Sequence, residues 1–122
     1  MAGKLYTPAE ANALLPYVAP LLVELREKFE EAAAIREKVA TAAAGNGWSP
    51  TREEWARTLA RVGELIDKLQ KWSVELRDVT TGLVDFPTVM EGREAYLCWR
   101  LGEEDVAHWH FPEEGFPGRH PL

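Results

Sequence analysis

A single cysteine, Cys98, leaves the chain no internal disulfide, so nothing in it points to an oxidising compartment. No apolar run approaches the ~18 residues of a membrane-spanning helix. The opening, Met1 to Tyr6, has no signal-peptide core. Basic residues are outnumbered, with 14 Lys and Arg against 20 Asp and Glu and a net charge of -6. That deficit argues against polymeric nucleic acid, whose binding needs Lys and Arg to replace phosphate counterions, and against an anionic membrane surface. The expectation is a cytoplasmic protein with neither partner. There is no internal repeat, and no dense ligand motif such as H-E-x-x-H or a doubled C-x-x-C.

What remains is the composition of a folded domain: 46% hydrophobic and 28% charged residues in 122. Thr7-Pro8-Ala9-Glu10 reads as a helix start, with Thr7 as cap, Pro8 in the first turn and Glu10 closing a capping box. The first helix is expected to be short, Ala9 to Leu15, because Pro16 and Pro20 each remove a helical hydrogen bond. A long helix then follows from about Pro20 to Ala44, with Leu21, Leu22, Leu25, Phe29 and Ala32 at steps of three and four. Gly45-Asn46-Gly47 supplies a turn and Ser49-Pro50 a second start. The next seam, Trp55, Leu59, Val62, Ile66, Leu69, Trp72, Leu76 and Val79, keeps near-heptad spacing up to Thr80-Thr81-Gly82. Two long helices on a short loop must run antiparallel, as a coiled-coil-like hairpin.

After Gly82 the period falls towards two. Leu83–Pro87, Arg93–Arg100 and Asp105–Phe111 read as strands, with turns at Glu91-Gly92 and Gly102-Glu103. The predicted fold is therefore α+β, one domain over 1–122: a helical hairpin over 8–80, a three-stranded antiparallel β-meander over 82–111 and a tail over 112–122. Closing the first turn sets Asp85 opposite Cys98 and Phe86 opposite Leu97. Closing the second sets Trp99 opposite Val106, Leu97 opposite His108 and Tyr96 opposite Trp109. This register puts His108 and His110 on the helix-facing side, away from Asp85 and Cys98, and separates Trp99 from Trp109. One bulge would exchange the faces. Two helices and a small sheet bury little surface for their length, and the seam is wider than one partner helix needs. A homodimer with a four-helix centre follows as an expectation.

The runs Gly82-Leu83-Val84-Asp85-Phe86-Pro87, Gly92 to Glu103 (GREAYLCWRLGE), Trp109-His110 and Gly115-Phe116-Pro117-Gly118-Arg119 form a recognisable set. With the opening Tyr6 to Pro16, they resemble a family of small prokaryotic proteins classed as a domain of unknown function. The resemblance spans nearly the whole chain and implies a grouping, with no activity attached.

Reactive residue types crowd into the last 40 residues or so. Asp85, Cys98, Glu103, His108, His110 and Arg119 suit a metal site for Zn, Mn or Fe. His108 and His110 point the same way along a strand, with Asp85 or a helix carboxylate (Glu10, Glu24, Glu64 or Asp67) to complete the set. The simpler reading makes His110 a satisfied histidine bonded to a carboxylate such as Asp85. A Cys/His enzyme would use Asp85 to orient His110, His110 as base and Cys98 as nucleophile, although an inert buried Cys98 is the plainer alternative. Arg119, helped by Arg93 and Arg100, could hold a small anion, or could simply pair with Asp85 or Glu103. Trp99 or Trp109 could line a pocket. The functional expectation is a small dimeric module that binds a ligand or a protein partner through Asp85, Trp99, Arg100, Glu103, Trp109 and Arg119. A metal-dependent or Cys/His enzyme is the alternative.

Overall fold

The structure, a computed structural model, describes residues 3–42 and 50–122. The expected turn at Gly45-Asn46-Gly47 and the helix start at Ser49 lie outside these residues.

The first helix begins where the sequence placed it. Thr7 Oγ1 accepts from the Glu10 amide at 3.1 Å, and a Glu10 carboxylate oxygen accepts from the Thr7 amide at 3.0 Å. This reciprocal capping box launches α1, Pro8–Ala42. The expected break does not occur, because α1 runs unbroken through Pro16 and Pro20. Both prolines are exposed and, at a spacing of four, share the outer face. The hydrogen bonds they delete therefore open towards water, while the buried stripe Ala11, Leu15, Val18, Leu22 and Leu25 holds the opposite face.

The second helix, α2, covers Pro50–Lys71 and runs antiparallel to α1: Glu24 meets Arg61, and further along the same groove Glu31 and Ile35 of α1 lie with Arg57 and Glu54 of α2. It stops nine residues before the predicted end. Ser73 takes a left-handed conformation, φ 61°. The Val74 amide returns to the Leu69 carbonyl at 2.9 Å and the Ser73 amide to that of Gln70 at 2.9 Å. This is a Schellman stop with serine where glycine is usual, which hid it. Leu76, assigned from spacing to the helical seam, belongs instead to a strand.

Five strands follow, not three: β1 Glu75–Asp78, β2 Leu83–Met90, β3 Arg93–Arg100, β4 His108–His110 and β5 His120–Pro121. They form one antiparallel sheet in chain order. The β2–β3 register is the expected one, Asp85 opposite Cys98 and Phe86 opposite Leu97. Its two-residue turn has both Glu91 and Gly92 at positive φ, as a primed hairpin turn demands.

The β3–β4 register differs by one residue. Leu97 faces Trp109, Tyr96 faces His110 and Cys98 faces His108. Val106 does not pair with Trp99, because its amide is held by Asn12 Oδ1 of α1 at 2.7 Å. The connection consumes the extra residue, and β4 turns over. Trp109 therefore joins Trp99 on the helix-facing side, and both histidines move to the outer face with Asp85 and Cys98. The core lies between helices and sheet and includes Val18, Leu22, Leu25, Leu65, Leu69, Val84, Phe86, Leu97, Trp99 and Trp109. Each such aliphatic or Phe side chain contributes about 1.5–3 kcal/mol on burial.

Candidate functional site

The outer face of the sheet carries the chemistry. Asp85 on β2, Cys98 on β3 and His110 on β4 come from three successive strands. The tail after β4 folds back over them, with a 3-10 turn at Phe116–Gly118 before β5 pairs with β4. Between sheet and tail lies a partly open pocket of about 290 Å³, lined by Arg77, Leu83, Asp85, Tyr96, Cys98, His110 and residues of the tail including Phe116.

Asp85 is the centre of the set and is only 2% exposed. Its Oδ2 accepts from Arg77 Nε at 2.8 Å and lies 3.0 Å from His110 Nε2. Its Oδ1 is buried without a hydrogen-bond partner. His110, 3% exposed, sets its Nδ1 2.8 Å from the Phe111 carbonyl oxygen. A carbonyl only accepts, so this contact needs the proton on Nδ1 and turns Nε2 towards Asp85. Arg77 also reaches Glu75 at 3.3 Å and lies over the Tyr96 ring.

Burial, and then the charge of Asp85, push the Cys98 thiol up to about 11. At neutral pH it is a protonated thiol, poorly prepared for nucleophilic attack. Arg119 Nη1 lies 3.9 Å from its sulfur. Arg119 itself is committed: it grips Glu103 through two hydrogen bonds of 3.1 and 2.6 Å and lies over the Phe116 ring. Desolvation alone would raise Glu103, but Arg119 and the Arg100 amide hold it below the usual carboxylate range. This fork latches the tail to the loop after β3.

The residues singled out by sequence thus separate into three groups. Asp85, Cys98 and His110 come together, each offering a donor atom within 4.8 Å of the others; they are the one such group among the described residues. His108 shares their face but stands outside the group, with its buried Nδ1 unpartnered. Of the expected trio of His108, His110 and Asp85, the structure brings the last two together, with Cys98 rather than His108 beside them. Glu103 and Arg119 are the latch beside them.

The remaining residues sit apart from the pocket. Trp99 and Trp109 are core side chains, Trp99 Nε1 donating to the Glu103 carbonyl. Arg100 lies over Phe116, and Arg93 pairs with Glu113. Among the helix carboxylates, Glu10 is in the capping box and Glu24 is bonded to Arg61.

Sequence reasoning missed Arg77, hidden in a segment read as helix. The clue was the alternation of Glu75, Leu76, Arg77 and Asp78 just beyond the concealed stop at Ser73.

The profile of the uncharacterized conserved protein family DUF2203 matches residues 4–122, and the chain belongs to that family. No curated protein matches the chain. No solved structure matches it either. Among the described residues no helix is long and apolar enough to cross a membrane.

Proposed function

We propose that the protein is a ligand-binding module whose site is the pocket between the outer face of the sheet and the folded-back tail. One observation carries this reading: Asp85 is a buried carboxylate with one oxygen doubly engaged and the other left without a partner. An unsatisfied buried acceptor costs about 1–3 kcal/mol, and a purely structural carboxylate would avoid it. A ligand that brings a donor or a cation to Oδ1 would offset that cost. The walls suit something small with an apolar flank, since Tyr96, Leu83 and Phe116 face the pocket beside the charged groups. The alternative, Cys98 acting as an enzyme's nucleophile, draws less support, because its thiol is held neutral.

The test is a titration of isotopically labelled protein with a panel of small polar fragments, followed by amide chemical shifts. Binders should shift Tyr96, Cys98, His110 and Gly115, and a Leu83→Trp variant that fills the pocket should lose the response. Shifts elsewhere, or none across the panel, would remove this reading.

The dimer expected from the seam is supported by its far end, where Phe29 and Leu59 occupy seam positions yet remain 42% and 44% exposed. A second copy would cover them. Light scattering at micromolar concentration should give twice the chain mass, and a monomer mass would reject self-association.

A further inference from the structure

We infer that the pocket takes a thiophilic divalent transition ion of the zinc class, held by Asp85 Oδ1, Cys98 Sγ and His110 Nε2. The inference rests on the pocket reading above and gives its ligand a chemical class.

Three features of the site support it independently. The donors are the right types in the right space: one carboxylate oxygen, one sulfur and one imidazole nitrogen within 4.8 Å of one another. Neighbouring ligand atoms of tetrahedral zinc stand about 3.3–3.6 Å apart, given bonds of about 2.0–2.3 Å. His110 Nε2 already stands beside the same carboxylate, 3.0 Å from its other oxygen, Oδ2.

The second feature is the support behind the donors. His110 binds the Phe111 carbonyl through Nδ1, which fixes the ring and leaves Nε2 as the inward nitrogen. Arg77 holds Asp85 through Oδ2 alone, leaving Oδ1 free within the site. This is how metal-binding histidines and carboxylates are commonly oriented from behind.

The third feature is charge. A thiolate and a carboxylate facing the ion would bring two negative charges to match its two positive ones. The nearby guanidiniums do not oppose it, since Arg77 is matched by Asp85 and Glu75 and Arg119 by Glu103. Sulfur in the set favours zinc-like ions over magnesium, calcium or manganese. Three protein donors leave a fourth position, which opens on the pocket, where a water or small anion would complete the shell.

The experiment is a titration of tag-free protein with Co(II) alone, read by absorption, then back-titration with Zn(II). The expected result is one equivalent bound, a sulfur-to-cobalt charge-transfer band in the near ultraviolet and visible bands of tetrahedral strength, all erased by Zn(II). Cys98→Ser should abolish the charge-transfer band, and Asp85→Asn should weaken binding by about tenfold or more. Circular dichroism melts confirm that each variant is folded. If one is not, the wild-type spectrum still decides, because the charge-transfer band arises only from a bound thiolate and Cys98 is the only cysteine. Cobalt bound without that band, or no binding at millimolar metal, overturns the inference. Fragment titration of metal-free protein separates the two failures: fragments that move the pocket amides when cobalt does not bind leave the pocket reading intact and remove only the metal.

Discussion

At the scale of single residues, the protein places its most reactive groups where they are quiet. The Cys98 thiol titrates near 11 against an ordinary 9.0, so its thiolate fraction near neutral pH is reduced roughly a hundredfold. Alkylation by iodoacetamide at pH 8 should be slower than that of free cysteine by at least this factor, and an unretarded rate would contradict the buried, carboxylate-flanked placement. The same shift couples to stability. A thiol raised in the folded state stabilises fully below its unfolded value, and that contribution is lost as pH climbs through about 11. Denaturant midpoints should therefore fall between pH 9 and 11 in the wild type and fall less in Cys98→Ala. Residue types alone pointed to a wider group, Asp85, Cys98, Glu103, His108, His110 and Arg119, within which Asp85, Cys98 and His110 lie together. What they could not reveal was that His110 shares a face with the other two, because this depends on Asn12 holding Val106 far away in sequence.

At the scale of elements, turns and helix ends explain both the successes and the misses. Glu91-Gly92 was readable because a positive-φ pair between alternating strands has few other uses. Ser73 was not, because a left-handed serine carries no compositional mark. Two glycines in turns distinguish conformational need from crowding. Gly92 (φ 78°) has open space around an added methyl, whereas at Gly82 (φ 66°) that carbon would lie 2.5 Å from Leu101. Gly92→Ala should cost about 1 kcal/mol from backbone strain alone, while Gly82→Ala should cost about 3 kcal/mol, because its methyl also runs into the Leu101 side chain. Equal losses in chemical denaturation would reject the distinction. In α1, Pro20→Ala restores a donor within the helix and should stabilise by about 1 kcal/mol or more. A lower melting temperature would mean that the proline contributes more by restricting the unfolded chain.

At the scale of the whole molecule, burial is concentrated at one end. In the described residues, the buried positions of α1 end at Ala32 and those of α2 begin at Thr58, so the far part of the hairpin adds little to the core. Amide hydrogen exchange should accordingly be slowest in β2, β3, Val18–Leu25 and Leu65–Leu69, and faster beyond Ala32. Uniform protection along α1 would show that something else covers the far end, as the proposed second copy would. The α+β class and the order of helices before strands were legible from periodicity. The fifth strand was not, since His120-Pro121 carries no strand signal and pairs only because the tail has already been turned by Phe116–Gly118 and latched by Arg119.

The pairing between β3 and β4 decides which side of the sheet the reactive groups occupy. Side chains alternate along a strand, so sliding β4 by one position against β3 would drive the His110 imidazole into the apolar core and the Trp109 indole into the pocket. Asn12 on α1 holds the Val106 amide at 2.7 Å just before β4 and so pins that pairing from the opposite side of the molecule. Insertions before Val106 that leave this anchor in place leave the chemistry where it is, whereas losing the anchor frees the strand to slide.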